Sequence, residues 1–533
     1  MMLVREHNEL VLAYDVGSTG LKAVLFDAGG RIVASRYKPY ETYYLRPTWI
    51  EQEPMDWWNA VCLATKAILD ETGISAERIK AIVPVGHQIM AIPVDKHGTL
   101  LRKRVQYCFD GRSSRQAQEL INRCGGYSKF YQIHGLAHPP EILSICKAMW
   151  LKENEPEVYN QTYKFLQSKG FIILQLTDRQ VFIDDYGDAS NTGWLDIKSK
   201  KYSEEILEAA GISIEKMPEI MYSHEIAGYV GEEAARQTGL KKGTPIFTGT
   251  GDVPASCVGA GVVERNMHYC SIGSANWNGG FIAAPCLEPD KKMVNICHLW
   301  KDYICFQYTA AGSISKDWFE NALCDVEKDI IKKINTGFYD ITVGRAQRSH
   351  PGAKGIFYIP YLRGGGGPHW NPNSRGAFVG LSLSHDKNDM ARSVLEGVAF
   401  NFRWMMEETK RAGVPLEERQ SIRVIGGGAR NDQWVQVYAD VLGSDFQIVK
   451  DPHEATARGG FISAAVGLKW YRDYSEAAKE TVIIEKVIKP NLEYHAVYDE
   501  VYPVFKSVYQ ALELVFNDIS RLQNKYIGTV EVL

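Results

Sequence analysis

The chain opens with three short, mainly apolar runs separated by polar turns that contain glycine. The runs are Leu10 to Ala13, Leu21 to Phe26 and Arg31 to Ser35. Apolar runs of this length bounded by Gly, Ser and Asp predict β-strands, here arranged as adjacent hairpins. The first turn, Asp15-Val-Gly-Ser-Thr-Gly20, leads straight into another strand, whereas a P-loop leads into a helix and has a different glycine and lysine spacing. We therefore expect a hairpin whose tip can hold a phosphate group.

Longer segments with apolar residues three or four positions apart predict helices. In the second half of the chain, one apolar stripe runs from Val394 to Phe402 and another from Trp434 to Leu442. The other expected helices are Met55 to Glu71, Ser113 to Cys124, Ile142 to Lys152, Pro254 to Gly261 and Val497 to Leu514, with a strand at Ile79 to Val85.

The strand and glycine-turn pattern occurs again in the middle of the chain. A strand that begins near Pro245 ends in the turn Gly249-Thr-Gly-Asp252, and His268 to Ser274 reads as a strand and polar turn followed by a strand at Trp277 to Ala283. This weak internal repeat predicts a duplicated α/β architecture with one phosphate hairpin in each half. We place the boundary near residue 262, which gives domains of residues 1–262 and 263–533.

Composition and charge narrow the class of protein. The 533 residues carry 60 Lys and Arg against 64 Asp and Glu, a formal charge of -4 without long blocks of one sign, so we expect no nucleic-acid partner. The longest apolar stretch, Ala81 to Val94, is short and interrupted, the first residues lack the zones of a signal peptide, and we expect no membrane partner. The ten cysteines show no C-x-x-C pair, which predicts reduced thiols and a cytoplasmic location.

The first hairpin carries groups suited to phosphoryl transfer. Asp15 offers carboxylate oxygens for Mg²⁺, while the turn glycine and Lys22 offer N–H and ammonium donors for phosphate oxygens. The alternative is an ordinary β-turn in which Asp15 caps the backbone and Lys22 is solvated.

Asp252 is the second candidate. A carboxylate that is ionised at neutral pH can accept the proton of an attacking hydroxyl group. The alternative is a helix cap, because Asp followed closely by Pro254 also starts a helix well. Both roles can coexist.

Two further sets of residues, two glycine turns and three polar residues, each have a functional and a structural interpretation. The turns at Gly273-Ser274 and Gly426-Gly-Gly428 can present amides to a nucleotide or can be plain tight turns. His87, Gln88 and Asp110 follow apolar segments and can bind sugar hydroxyls; the alternatives are a satisfied core histidine and a surface salt bridge between Asp110 and Arg112.

Taken in order, these motifs resemble the FGGY family of carbohydrate kinases, and its xylulose-kinase-like branch most closely. The resemblance runs from the first hairpin to Gly459. The segments that carry it are Asp15 to Asp27, Asp185 to Ser190, Gly243 to Val262, Ser271 to Ser274, Tyr361 to Gly376, Arg392 to Gly397 and Gly426 to Asn431.

The resemblance implies a two-domain α/β fold of the actin/hexokinase/Hsp70 (ribonuclease H-like) type with an interdomain cleft, and a kinase that uses ATP and Mg²⁺. The acceptor is then a small sugar such as the ketose xylulose, or another ketose or polyol of the ribulose, erythritol or glycerol type. A non-phosphorylating, ATP-binding sugar sensor of the same fold is the other alternative, and a homodimer is left open. The implied site residues are Asp252 as general base, Asp15 and Asp252 at the metal, His87, Gln88, Asp110 and Asp252 at the sugar, and Gly17, Ser18, Thr19, Lys22, Gly273, Ser274, Gly312, Gly427, Gly428, Ala429 and Asn431 at the nucleotide.

The chain departs from this family where the sugar is expected. His87-Gln-Ile-Met90 stands in place of Gln-Met-His-Gly, Cys108 in place of Trp, and Val253 in place of Asn or Gln. Gly364-Gly-Gly-Gly-Pro368 stands in place of Gly-Glu-Arg-Thr-Pro. We therefore expect an altered sugar pocket, with Val253 either facing the substrate or packed into the following helix.

Overall fold

The structure, a computed structural model, describes residues 9–46, 48–334, 340–416 and 420–527, so the N-terminal residues tested above for a signal peptide lie outside the described part. The chain divides into two compact units. Unit 1 takes its residues from 1–267, 280–305 and 454–483, and unit 2 from 268–279, 306–453 and 484–533. Each unit thus draws on separate stretches of the chain, whereas the repeat led us to expect one boundary near residue 262. The domain limits stay a prediction.

The strands and helices of the first half are, in chain order, β1 (Leu10–Val16), β2 (Gly20–Asp27), β3 (Ile32–Pro39), β4 (Tyr43–Arg46), β5 (Trp49–Gln52), α1 (Pro54–Thr72), β6 (Ile79–Gly86), β7 (Ile92–Val94), β8 (Val105–Gln106), α2 (Ser114–Arg123), α3 (Tyr127–His134), α4 (Ser144–Asn154), α5 (Pro156–Gln161), β9 (Lys164–Leu166), α6 (Ser168–Leu176), β10 (Ile183–Asp185), α7 (Tyr186–Ala189), β11 (Leu195–Asp196), β12 (Lys201–Tyr202), α8 (Glu204–Ala210), β13 (Glu219–Met221), β14 (Ile226–Tyr229), α9 (Glu232–Thr238), β15 (Pro245–Phe247), β16 (Thr250–Gly251) and α10 (Asp252–Gly259).

Those of the second half are β17 (His268–Ile272), β18 (Asn276–Ile282), β19 (Val294–Cys297), β20 (Tyr303–Thr309), α11 (Ser313–Leu323), α12 (Asp325–Ile334), α13 (Ile341–Ala346), β21 (Phe357–Ile359), β22 (Ala377–Val379), α14 (Lys387–Arg411), β23 (Ile422–Ile425), α15 (Asp432–Leu442), β24 (Phe446–Val449), α16 (Ala455–Gly467), α17 (Tyr474–Thr481), β25 (Ile484–Ile488) and α18 (Leu492–Ile527). The mixed α/β class and the expected hairpins and helices are confirmed.

Unit 1 is built around a sheet of order β14-β15-β6-β1-β2-β3, with β16 paired to β6. Alternate residues of a strand point to opposite faces of a sheet. Leu10 and Leu12 of β1 pack in one apolar cluster with Trp57 of α1. On β2, Phe26 contacts Phe461 of α16, with ring centroids 5.0 Å apart. Helices on both faces explain why β1 is apolar along nearly all of its length.

Helix α10, which begins at Asp252, packs closely against α16. A Cβ atom on Gly259 would lie 1.7 Å from the carbonyl oxygen of Ala455, and one on Gly459 would lie 1.9 Å from that of Ala255. Only glycine permits so close an approach of two backbones. This contact brings a late segment of the chain, around residue 459, next to the helix that starts at Asp252.

Unit 2 contains parallel pairs β17–β23 and β23–β24, with β25 antiparallel to β24. The apolar stripes of α14, α15 and α18 share one core cluster with these strands. Helix α18 extends over 36 residues, well beyond both ends of the predicted Val497 to Leu514 segment. Among the described residues, none of the helices combines the length and the apolar character needed to cross a bilayer.

Candidate active site

Three strands of unit 1 end at the same edge of the sheet. In the parallel pairing of β1 with β6, Val16 lies opposite Gly86, and in the pairing of β16 with β6, Gly251 also lies opposite Gly86. The residues that follow these strands are the hairpin turn, His87 and Asp252. The carboxyl ends of neighbouring parallel strands are the usual place for ligand sites in such sheets.

Asp15 lies across the hairpin from Lys22. The Lys22 Nζ atom is 3.2 Å from Oε2 of Glu454, the residue that precedes α16. Burial raises the pKa of Asp15 to about 6; the positive charge of Lys22 opposes this shift and the negative charge of Glu454 adds to it. The sequence did not reveal Glu454, because its partner is more than four hundred residues away and nothing distinguishes it locally.

Asp252 is the first residue of α10, and the N-cap is Gly251, so the alternative of Asp252 as the helix cap is wrong. Its Oδ1 accepts a hydrogen bond from the backbone N–H of Val253 at 2.9 Å. Burial and, to a lesser degree, the negative charge of Asp15 raise the pKa of Asp252 to about 7, against the opposing effect of the Val253 N–H. Asp15 and Asp252 therefore form a pair of carboxyls that repel each other when both are ionised.

Three side chains donate hydrogen bonds to the backbone carbonyl groups at the tip of the first hairpin. Tyr40 Oη donates to the Gly17 carbonyl, Gln52 Nε2 donates to the Ser18 carbonyl at 2.8 Å, and Tyr37 Oη donates to the Thr19 carbonyl at 2.9 Å. The side chains of Ser18 and Thr19 remain exposed. The hairpin thus presents two hydroxyl groups on a braced backbone.

His87 is buried and has a fixed tautomer. Its Nδ1 lies 2.8 Å from the Val16 carbonyl, and because a carbonyl only accepts, Nδ1 carries the proton and donates. Burial lowers the pKa of His87 to about 4, with a further contribution from the positive charge of Lys147. At neutral pH the ring is therefore uncharged, and Nε2 is a hydrogen-bond acceptor.

Both polar atoms of the Gln88 side chain form hydrogen bonds within the protein. Its Nε2 donates to the Gly187 carbonyl at 3.1 Å and its Oε1 accepts from Asn191 Nδ2 at 3.1 Å. A Cβ atom on Gly251 would lie 2.2 Å from the Gln88 amide, so this side chain supports the backbone just before Asp252. A contact of Gln88 with sugar stays a prediction.

Asp110 lies in a buried ion pair, whereas the alternative weighed above placed that salt bridge at the surface. Arg112 Nη2 donates to Asp110 Oδ2 at 2.7 Å, and both side chains are almost completely buried. Asp110 Oδ2 also accepts from the backbone N–H of Ile50 at 2.6 Å. Asp110 therefore joins two segments of unit 1, and its role at the sugar stays a prediction.

A buried network supports the turn that leads into Asp252. Thr250 Oγ1 donates to Asp185 Oδ2 at 2.6 Å. The ammonium group of Lys169 lies between three buried carboxyls, 3.2 Å from Asp184 and Asp185 and 3.4 Å from Asp188. An ammonium thus occupies the centre of a cluster that would otherwise suit a metal ion. The sequence motif pointed to Asp185, but not to its partner Thr250.

In unit 2 the structure brings the expected nucleotide residues into one region. The backbone N–H of Gly312 donates to the Ser274 carbonyl at 3.1 Å, and that of Ser313 donates to the Gly273 carbonyl at 2.8 Å. A Cβ atom on Gly428 would lie 2.4 Å from the Ile272 side chain, at the end of β17. The hairpin Gly273-Ser274, Gly312 and the glycine turn after β23 are therefore neighbours.

The glycine turn itself leads into α15. Asn431 is the N-cap of α15 and accepts from the backbone N–H groups of Gln433 and Trp434. Ala429 is buried, while Gly427 is exposed, and a Cβ atom there would have no atom of the described residues within 4 Å other than those of its two chain neighbours. The turn thus has one open face next to a helix N-terminus, where amides favour an anion.

Models of both domains of one protein family match this chain. The model of the N-terminal domain of the FGGY family of carbohydrate kinases matches residues 10–259, and that of the C-terminal domain matches residues 306–468. A xylulose kinase of Staphylococcus epidermidis is 27% identical over 97% of this chain and 99% of its own length. A gluconokinase of Bacillus subtilis is 28% identical over 85% of this chain and 86% of its own length.

Solved structures show the same fold. A ligand-bound xylulose kinase of Lactobacillus acidophilus superposes with a TM-score of 0.84 at 24% identity, covering 96% of this chain and all of that one. The two-domain actin/hexokinase-like architecture expected from the sequence is thereby confirmed. Because the two family domains match in order and together span most of the chain, this protein belongs to the FGGY family of carbohydrate kinases, phosphotransferases that use ATP.

Proposed function

We propose that this kinase transfers the γ-phosphoryl group of ATP to a primary hydroxyl of a small ketose, with xylulose as the first candidate. The observation that carries the proposal is the pair Asp15 and Asp252 at one edge of the unit 1 sheet, with the pKa of Asp252 raised to about 7. A carboxyl with a pKa near the working pH is well matched to general-base catalysis. Similarity to xylulose kinases along nearly the whole chain supports the choice of sugar.

Asp252 acts as the general base in this proposal. Its Oδ1 is engaged by the Val253 N–H, which leaves Oδ2 to accept the proton of the sugar hydroxyl. As that proton moves, the hydroxyl oxygen forms its bond to the γ-phosphorus, and the bond from the γ-phosphorus to the bridging oxygen breaks, with the electron pair leaving on ADP. A sugar sensor has no use for a base at this position, so Asp252 favours the kinase over the sensor.

Asp15 and Asp252 are also the residues that would hold Mg²⁺. The negative charge of Asp15 raises the pKa of Asp252, and the two carboxyls form a donor set of hard oxygen ligands, which suits this ion. When bound, the ion neutralises charge on the phosphate oxygens. The chain's own contribution is to keep both carboxyls at the end of β1 and the start of α10 by the strand register.

The residues that we propose for nucleotide binding lie on the hairpin tip of each unit and on the glycine turn of unit 2. Gly17, Ser18, Thr19 and Lys22 serve the phosphates in unit 1; Gly273, Ser274, Gly312, Gly427, Gly428, Ala429 and Asn431 serve the nucleotide in unit 2. The open face at Gly427 supports this assignment, because a flat base can approach the backbone there without displacing a protein atom.

A cytoplasmic location and the absence of a nucleic-acid partner are part of the same proposal. All ten cysteines lie in the part of the chain that the structure describes; none of them forms a disulfide and eight are buried, which supports a reducing compartment. The slightly negative net charge gives the protein no overall attraction to a polyanion.

A phosphorylation assay over ketoses, polyols and aldonates tests the proposal. We expect turnover with ATP and Mg²⁺ to be highest with xylulose; gluconate is the second candidate, because a gluconokinase is similarly related. In Asp252→Asn, sugar affinity should be nearly unchanged while kcat falls by about 10²–10⁴-fold. Binding of sugar and ATP without any product in the wild-type protein would establish the sensor instead.

Val253 offers a test of sugar choice. The side chain is half-buried and follows the proposed base directly. We expect Val253→Asn to change the ratio of kcat/KM among sugars by about 5- to 150-fold, because an amide can pair with a hydroxyl that valine leaves unpaired. An equal loss for every sugar together with a lower Tm would show that Val253 is a packing residue.

A further inference from the structure

Lys147 is a charged residue in the middle of a buried helix. It lies on α4, where every residue from Ser144 to Leu151 is buried, and its own side chain has no exposed surface. A lysine in such a place is rare unless its charge is compensated. The sequence contains a sign of this, because Lys147 is the single charged residue in the mainly apolar segment Ser144-Ile-Cys-Lys-Ala-Met-Trp150.

The ammonium group of Lys147 is satisfied by backbone carbonyls. Its Nζ donates to the carbonyl oxygens of Ile89 at 2.6 Å, Tyr107 at 2.7 Å and Cys108 at 3.2 Å. A protonated lysine has three N–H donors, so each of them has an acceptor. Within the described residues no carboxylate oxygen lies within ion-pair distance of this nitrogen.

The three carbonyls belong to two separate segments of unit 1. Ile89 follows His87 and Gln88 directly, while Tyr107 and Cys108 come just before Asp110. The rings of His87 and Tyr107 lie 5.5 Å apart, so the segments meet. One buried cation therefore joins the two segments that carry all the candidate sugar contacts except Asp252.

Ile89 has a backbone conformation that needs such support. Its φ is 64°, in the left-handed region that β-branched residues rarely adopt. Residues in such conformations persist where surrounding contacts hold them, and they cluster at ligand sites. The hydrogen bond from Lys147 to the Ile89 carbonyl is one of these contacts.

His87, two residues before Ile89, has a buried ring nitrogen that is available as a hydrogen-bond acceptor. Its Nε2 is buried and has no hydrogen-bond partner among the residues that the structure describes. Because Nδ1 donates to the Val16 carbonyl, Nε2 can only accept, and a sugar hydroxyl is a donor of the right kind. The positive charge of Lys147 helps to keep this ring neutral.

We propose that Lys147 is a positioning residue of the sugar site, whose ammonium group holds the His87–Ile89 and Tyr107–Asp110 segments together and keeps His87 Nε2 an acceptor for a sugar hydroxyl. The inference rests on the proposed function for the identity of the ligand. It assigns no contact between Lys147 and the substrate.

Lys147→Met tests this, since methionine has a similar length and no charge or donor. Lys216→Met is the matched control, because Lys216 Nζ also donates to two backbone carbonyls of unit 1, those of Tyr159 and Thr162. We expect Lys147→Met to raise the KM for the sugar by about 10- to 100-fold, the range for loss of charge-assisted hydrogen bonds, with the KM for ATP unchanged. Lys216→Met should change neither KM.

The wild-type protein gives a second measurement that needs no folded variant. Burial lowers the pKa of Lys147 to about 8, so the ammonium loses a proton, and one of its donors, as the pH rises past 8. The sugar KM should then rise between about pH 7 and 9 while the ATP KM stays level. The other titratable groups that face Lys147 keep their charge state in this range. Burial raises the pKa of the Cys108 thiol to about 12 and raises that of Cys146 as well. His87 is neutral, and Asp110 is paired with Arg112.

The outcomes separate this inference from the proposed function. Sugar affinity is measured by calorimetry in the Asp252→Asn background, which needs no turnover, so loss of phosphorylation in the wild-type assay counts only against the function. A folded Lys147→Met protein with wild-type sugar affinity would overturn the inference, as would sugar and ATP constants that rise equally. If Lys147→Met does not fold, a sugar KM that stays level from pH 7 to 9 in the wild-type protein overturns it.

Discussion

Two carboxyl groups at the end of β1 and the start of α10 govern how activity should depend on pH. A general base must be ionised, and the pKa of Asp252 is about 7. We therefore expect kcat/KM for the sugar to fall about tenfold per pH unit below pH 7, and more steeply below pH 6, where Asp15 also gains a proton. In Asp252→Asn, the residual activity should no longer fall below pH 7. If the fall near pH 7 persists in this variant, it belongs to the titration of another group.

The same burial makes Asp252 costly for stability. Its pKa is raised from 3.8 to about 7, so between these values the folded protein binds more protons than the unfolded chain and stability falls as the pH rises. Asp252→Asn removes the ionised group, so we expect its Tm to exceed that of the wild-type protein at pH 8, with the difference vanishing near pH 4. Thermal melts of both proteins across this range are the measurement, and a lower Tm for the variant at pH 8 would contradict it.

At the scale of elements, the position of α10 depends on the turn that enters it. Thr250 lies two residues before the proposed base, Asp252, and its Oγ1 donates to the buried carboxylate of Asp185. Thr250→Val keeps the shape and removes the hydroxyl, and we expect kcat to fall about three- to tenfold because Asp252 is less well oriented. Thr250→Ser, which keeps the hydroxyl, should retain most of the activity.

Thr248→Val is the control for this pair. Its hydroxyl is also buried but donates to the Glu225 carbonyl at 3.0 Å, away from the turn into α10. It should leave kcat near the wild-type value. A similar loss in Thr248→Val and Thr250→Val would show a general packing effect and no specific role for the bond to Asp185.

The elements that could be predicted are those whose pattern is local. Apolar runs between glycine turns identified β1 to β3, and the spacing of apolar residues identified α1, α14 and α15, each of which buries one face. Helix α10 begins at Asp252, two residues before the predicted start at Pro254, because proline is compatible with the whole first turn of a helix and does not fix its first residue.

Tertiary partners could not be predicted in this way. Glu454 approaches Lys22, and Lys147 approaches Ile89 and Tyr107, across large separations along the chain. Such contacts depend on how elements pack, and no short pattern of residue types encodes them. Motif resemblance supplied the candidate residues, but the fixed tautomer of His87 and the engaged amide of Gln88 required coordinates.

At the scale of the whole molecule, each of the two units contains a hairpin with a polar glycine turn. In unit 1 the turn lies beside Asp15, and in unit 2 it lies beside Gly312 and the glycine turn of α15. The sugar-side residues, His87, Lys147 and Asp252, belong to unit 1, and the open glycine turn belongs to unit 2. Sugar and adenosine recognition are therefore expected to respond to different substitutions.

Gly427→Val tests this separation on the nucleotide side. Apart from the two neighbouring residues, no atom of the described residues lies within 4 Å of a Cβ atom at this position, so the wider side chain should be accommodated without loss of stability. In the proposed complex it would occupy the face that adenosine approaches, so we expect the KM for ATP to rise about tenfold or more and the sugar affinity to be unchanged. Gly427→Ala, with a smaller side chain, should give an intermediate ATP KM. Equal changes in the ATP and sugar constants, or an unchanged ATP KM in a folded Gly427→Val protein, would show that adenosine does not lie against this turn.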